Sequence, residues 1–339
     1  MKDKTLNILL IGGLGFIGQA LINFLAHQIP ESYEQIKIIV LTRSLINKQR
    51  IPETADSYYT GNAADALLLE RILFEKKIHY IIHLAGVSTV AKASLNPADA
   101  YLDNVKMTNA ICEACSEYRR IRGVILASTS LVYQGSHNQS QHFENELIDA
   151  RNLNPYIKSK YLAEFRAFDI TDFPIVILRL SNIYGPGDTH KRLIPLTIQR
   201  LLSGEQPQIY VDQKTKLSSK TDYLFIYDLT EAVYKIILRL ESDKNHIPSS
   251  CSILNIGSGC TYYIEDIVRM LIHEIDPARK PVILTQSNID FHYPEMNVEK
   301  AEKEFGFKAT TSLSEGLKIT VNAWKKNFNH SNERKEVQS

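Results

Sequence analysis

Three scarcities in the sequence exclude large classes of protein. Only four cysteines occur in 339 residues, too few for a disulfide framework, so a reducing cytoplasm is the expected compartment. Cys112 and Cys115 form a C-x-x-C, but within a helical pattern and with no second ligand pair at usable spacing, so no metal site is expected. Charge of one sign is missing as well. With 39 Lys plus Arg against 38 Asp plus Glu, the net charge is +1, which leaves no footprint for nucleic acid or an anionic bilayer. Long apolar runs are absent too: residues 36–41 are of strand length, far short of the roughly 20 residues a bilayer span needs. What remains is a chain long enough for a large α/β domain with a smaller companion, and its expected partner is a small molecule.

Lys2 and Lys4 before the apolar stretch 6–18 imitate a secretory leader. Four glycines inside that stretch, at 12, 13, 15 and 18, point instead to a strand and a phosphate-binding turn. Further β-rich runs at 36–42, 80–84, 123–128, 175–181 and 252–256 alternate with helical patterns. Continuous apolar strands separated by helices predict a doubly wound parallel α/β sheet covered on both faces.

Residues 7–11 run directly into Gly12-Gly13-Leu14-Gly15-Phe16-Ile17-Gly18 and then a helix. That order suits a dinucleotide: glycines let backbone N–H groups and a helix N-terminus approach the pyrophosphate. Gly12, Gly15, Phe16, Ile17 and Gly18 are therefore expected at the cofactor, on a Rossmann domain formed by 1–181 and 222–257. A smaller C-terminal substrate-binding lobe is expected from 182–221 and 258–328, with a flexible tail at 329–339. The second strand ends Thr42-Arg43-Ser44, with no carboxylate for an adenosine ribose 2′-OH. Thr42 and the forked guanidinium of Arg43 favour a 2′-phosphate, so NADP(H) is expected over NAD(H), and Asn62 is expected at the adenine edge.

Pro155 opens a helix in which Tyr156 and Lys160 stand one turn apart on one face. A phenol near pKa 10 is a poor base at neutral pH, and lowering it by about 3 units takes roughly 4 kcal/mol. An adjacent ammonium can provide part of that, but a Tyr and a Lys four apart on a helix are common by chance, so the spacing alone assigns no role.

In chain order, the glycine loop, His83-Leu84-Ala85-Gly86, Asn104, Ser128-Thr129-Ser130-Leu131-Val132-Tyr133, the Tyr156/Lys160 helix and Asn182-Ile183-Tyr184-Gly185-Pro186 resemble the extended short-chain dehydrogenase/reductases. The resemblance is to the branch of NAD-dependent epimerases and dehydratases acting on nucleotide-activated sugars, and covers roughly residues 5–325. It implies that Thr129 bonds the reacting sugar oxygen, that Tyr156 is the acid/base, and that Lys160 activates it and holds the nicotinamide ribose. Ser128 and Ser130 compete for the Thr129 role; Thr129 is preferred by its distance to Tyr133. Leu84, Ala85, Gly86 and Asn104 fall on the cofactor side by the same resemblance, and Ser88, Ser130, Asn182 and Arg192 on the substrate side. Relatives often dimerise through helices corresponding to 104–119 and 156–169, so a homodimer is expected.

Two departures matter. Sugar 4,6-dehydratases carry ionisable residues after the Thr, where this chain has Ser130 and Leu131, so elimination is disfavoured. Thr221 stands where a diphosphate-clamping Arg is expected, and 287–294 offers no second one. Hydride transfer at a sugar carbinol or keto carbon remains, with a lean towards an NADPH-dependent 4-ketoreductase. An NAD-retaining epimerase is the alternative, and a non-catalytic NADP-binding sensor or scaffold is the reading from another class.

Overall fold

A computed structural model of the chain describes residues 3–43, 52–86, 95–136, 141–169, 172–242, 251–286 and 295–336. Its centre is a seven-stranded sheet made from β1 (Asp3–Ile11), β2 (Tyr33–Thr42), β3 (Ser57–Thr60), β4 (Tyr80–His83), β5 (Gly123–Thr129), β7 (Ile175–Leu180) and β11 (Cys251–Ile256). The spatial order is β11-β7-β5-β4-β1-β2-β3, and every pairing is parallel.

The apolar strands alternate between two cores. Ile8 and Leu10 of β1, Ile38 and Val40 of β2, and Val176 and Leu178 of β7 face one. Leu9, Ile11, Ile39, Leu41, Ile175 and Ile177 face the other. Both faces are therefore dry, and each needs a helical layer. The first layer contains α1 (Phe16–Leu25) and α6 (Ile226–Ser242). Opposite lie α2 (Ala66–Lys76), α3 (Pro97–Tyr118) and α4 (Pro155–Phe168). Local chemistry fixes the start of α4: Asn154 Oδ1 accepts the Ile157 N–H at 3.0 Å, and Pro155 fills the first turn.

The smaller lobe takes β8 (Asn182–Tyr184), β10 (Lys220–Phe225) and β12 (Thr261–Tyr263) into a three-stranded sheet. Two further parallel pairs join β9 (Gln208–Asp212) to β13 (Val282–Gln286), and β6 (Gln141–His142) to β14 (Glu295–Met296). Helices α5 (Leu193–Leu202), α7 (Ile264–Ile275), α8 (Glu299–Phe305) and α9 (Leu313–Glu336) complete it. Residues 222–225, assigned by sequence to the Rossmann part, pair with β8 and β12 instead, because Tyr223, Leu224 and Phe225 register against Asn182, Ile183 and Tyr184. Helix α9 continues through 336, and Leu313, Leu317 and Val321 bury one stripe of its first half at helical spacing.

Gly316 lies in that first half of the helix. An added Cβ would collide with the hydroxyl of Tyr184 and stand 2.9 Å from the Phe225 ring. Rigid rings on both sides leave nothing flexible to yield, so Gly316→Ala is expected to cost about 1–3 kcal/mol. Urea unfolding monitored by circular dichroism measures this; an unchanged midpoint would show that α9 is not docked there.

Candidate active site

Sheet order reverses at β1, whose neighbours β4 and β2 lead in opposite directions, and a crevice opens beyond the carboxyl ends of β1 and β4. It is a cleft of about 700 Å³. Gly12, Leu14, Gly15, Phe16, Ile17 and Gly18 form one wall, and Leu84, Ala85 and Gly86 after β4 another. Gly12 has φ +88°, and a Cβ on it would stand 2.8 Å from the Ala85 backbone N. A Cβ on Gly18 would meet Gly13 Cα at 2.5 Å and Gly12 O at 2.7 Å. Gly15 caps α1 without any side chain, so the first-turn N–H groups are left for an anion. This cradle, whose tight turn admits no Cβ at Gly12 or Gly18 and which presents uncapped N–H donors, fits a dinucleotide pyrophosphate.

The same cleft is lined by Thr129, at the end of β5, and by Tyr156 and Lys160 of α4. Thr129 and Tyr156 share a hydrogen bond. Burial raises the Tyr156 pKa, while the Thr129 bond and the Arg192 guanidinium pull it down. Lys160 Nζ donates to Ala127 O at 3.1 Å, and burial lowers its pKa to about 8 against the opposing pull of Glu164. In the cofactor-free protein the Lys160 ammonium donates to a backbone carbonyl, and the Arg192 guanidinium is the charge that opposes the burial-driven rise of the Tyr156 pKa. Arg192 is itself steered by Asp188, which is buried and also holds His190 at 2.8 Å.

Residues 8–257 match the model of the NAD dependent epimerase/dehydratase family. The chain belongs to that family of enzymes. It is 30% identical to a dTDP-D-glucose 4,6-dehydratase of Dictyostelium discoideum over 78% of this chain and 61% of that one. Identity to a UDP-glucose 4-epimerase of Pasteurella multocida is 26% over 94% of this chain and 98% of the other. Among solved structures, a dTDP-glucose 4,6-dehydratase of Bacillus anthracis in complex with NAD has a TM-score of 0.76 at 25% identity, covering 95% of this chain and 97% of that one. The chain spans 61% and 48% of the length of two curated relatives it matches, the first of them that Dictyostelium dehydratase and the second a trifunctional enzyme of Arabidopsis thaliana.

Against this family background several expected residues shift. Thr42 and Arg43 line the cleft, and Arg43 forms an ion pair with Asp103 at 3.7 Å. Asn62 Oδ1 accepts the Ala64 N–H at 3.0 Å in a local turn, and its neighbours Gly61 and Ala63 line the cleft there. Asn104 stands behind the cleft rather than in it, donating to Ser159 Oγ at 2.8 Å, which donates in turn to Tyr156 O. Ser130 is fully buried and outside the lining, so Thr129 alone of the three hydroxyls from 128 to 130 that competed for its role sits beside the phenol. Asn182 lines the cleft, but its Nδ2 donates to Thr221 Oγ1 at 2.6 Å, filling the position where the family arginine was expected. His190, Lys191 and Arg192 line the cleft whereas Lys216 and Lys220 do not. Ser88 and 287–294 lie outside the described residues. Cys112 and Cys115 are buried in α3, and among the described residues no cluster of His, Cys, Asp or Glu could hold a metal ion. Glu164, Arg179 and Asp188 were missed as parts of the site; only Glu164, four residues beyond Lys160 on the helix, had a signal in the spacing.

Proposed function

We propose that the chain is an NAD(P)-dependent oxidoreductase acting at a carbinol or keto carbon of a nucleotide-activated sugar, and in particular an NADPH-dependent 4-ketoreductase. The observation that carries this reading is Thr129, Tyr156 and Lys160 lining the same cleft as the glycine loop. Gly12, Gly15, Gly18 and the first turn of α1 would hold the pyrophosphate, and Lys160 the nicotinamide ribose. The bound nicotinamide supplies or accepts a hydride. Thr129 holds the sugar oxygen, and Tyr156 moves its proton. A phenol kept protonated by burial is a proton donor, which is what reduction of a ketone requires. Among the described residues lining the cleft the one carboxylate is Asp103, so an acid/base pair for elimination is not supported.

The preference for NADPH rests on Arg43. Its ion pair with Asp103 is exposed and therefore weak, leaving the guanidinium free to turn to a 2′-phosphate. The decisive assay follows oxidation of NADPH and NADH by UDP-4-keto-6-deoxyglucose. NADPH is expected to be preferred by about 10- to 100-fold, the worth of a charge-assisted bond, and Arg43→Ala to erase the preference. A second reading, an NAD-retaining epimerase, is favoured by the near full-length match to the Pasteurella epimerase. NAD released stoichiometrically from denatured protein, with UDP-glucose epimerised without added cofactor, would replace the first reading by the second. Nucleotide binding with no turnover of either substrate would favour a sensor.

Two further expectations belong here. A homodimer through α3 and α4 is supported by Phe165 and Phe168, half exposed on α4. Cytoplasmic residence is supported by four unpaired cysteines, and no helix among the described residues is long and apolar enough to cross a membrane.

A further inference from the structure

A second, small cavity of about 20 Å³ is lined among others by His83, Asn104, Thr108, Ser128, Lys160 and Glu164. Glu164 is its charged floor. Arg179 of β7 grips that carboxylate, with Nη2 at 2.8 Å and Nε at 3.2 Å, and both side chains are only 2% exposed. The second carboxylate oxygen accepts the Ser128 hydroxyl. Ser128 sits in β5 between Ala127, whose carbonyl receives Lys160 Nζ, and Thr129, which bonds Tyr156. One carboxylate thus ties α4 to the three strand residues against which the reacting pair is seated. It also lies one helical turn from Lys160, on the same face.

We propose that Glu164 is a positioning residue of the reaction: through Ser128 it fixes the strand end that seats Lys160 and Thr129, and from one turn along the helix, lining the same cavity, it is the counter-charge of the lysine ammonium. This rests on the reading of Tyr156 and Lys160 as the catalytic pair.

The surroundings leave Glu164 as the group that acts on the charge of Lys160. From β4, His83 faces the lysine but is held neutral, its pKa lowered to about 3 by burial. From α3, Asn104 and Thr108 are uncharged. From β7, Arg179 is engaged with Glu164 itself. On α4, Tyr156 stays protonated, and Arg192 from the lobe acts on that phenol. Burial pulls Lys160 down to about 8, and Glu164 is the opposing pull. Without it the ammonium deprotonates at a lower pH.

Lysine-selective ¹⁵N NMR of the cofactor-free chain, with the Lys160 Nζ signal assigned by its loss in Lys160→Met, reads this directly. The native midpoint is expected near 8, with Glu164→Gln lowering it by about one unit and Glu164→Asp holding it in place. In parallel, the alkaline limb of kcat with NADPH and UDP-4-keto-6-deoxyglucose should move down with the NMR midpoint, with KM unchanged. A folded Glu164→Gln variant whose Nζ midpoint and kcat limb both stay in place overturns the proposal. Should Glu164→Gln fail to fold, Glu164→Gln/Arg179→Gln leaves no unpaired buried charge; the same downward shift supports the proposal, and an unmoved midpoint overturns it. Undiminished turnover in Tyr156→Phe would overturn the catalytic reading instead, while the Nζ titration would still judge Glu164 on its own.

Discussion

Tyr156→Phe is expected to lower turnover of a keto-sugar nucleotide by about 10²- to 10⁴-fold, the range for losing a positioned proton donor, while NADPH binds as before. The split follows from where the hydroxyl sits. Its ring packs against the apolar cluster that contains Leu153 and Val132, and phenylalanine preserves that packing. Only the oxygen that bonds Thr129 is removed. The dinucleotide walls at Gly12, Gly15 and Gly18 belong to the β1 turn and the start of α1, other elements than the helix that carries Tyr156, and should not register the change. Stopped-flow turnover and a fluorescence titration of NADPH give the two numbers. A rate within about threefold of the native one would remove Tyr156 from the chemistry, because a loss of that size is too small for a proton-transferring group.

Gly12→Ala is expected to weaken dinucleotide binding by about 100-fold or more and to lower the melting temperature. Two costs coincide at this residue. At φ +88° an L side chain pays about 1–2 kcal/mol in backbone strain. Its Cβ also falls 2.8 Å from the Ala85 N and 3.0 Å from the Ala85 Cα, both backbone atoms that cannot rotate aside. Relief requires the β1 turn and the segment after β4 to separate, and these are the two walls that must close on the pyrophosphate. Since about 1.4 kcal/mol is a tenfold change in affinity, strain and clash together suffice. Native-like NADPH affinity in this variant would mean that the loop does not hold the cofactor.

The sequence made the scaffold legible because the physics that specifies it is local. Apolar runs mark a strand buried on both faces wherever they occur, and a glycine loop between strand and helix has few other uses. Tyr156 and Lys160 could be placed on one helix face from their spacing, but only the company of the other motifs in chain order gave that pair a role. The electrostatics were not legible, since they depend on distant residues: Arg192 reaches Tyr156 from beyond the Gly185–Gly187 turn, and Arg179 reaches Glu164 from another strand. Asn62 and Ser130 illustrate a different limit. Both are polar residues at strand ends, where the sequence cannot distinguish a ligand-facing side chain from one spent on a backbone turn or buried in the core. The lobe strands were obscure because β8 and β12 are three residues each and find their partners only after long excursions of the chain.

Strand β11 completes the edge of the large sheet only after the chain has passed through most of the smaller lobe's first half. During synthesis on the ribosome, β7 therefore waits with one hydrogen-bonding edge open until residues 251–256 emerge. That interval exposes an apolar strand edge in the nascent chain, the kind of surface chaperones shield and aggregates recruit. Fragments ending before 251 should inherit the same weakness permanently, so expression trials that trim the chain at the end of the nucleotide-binding segment would yield inclusion bodies rather than a minimal domain.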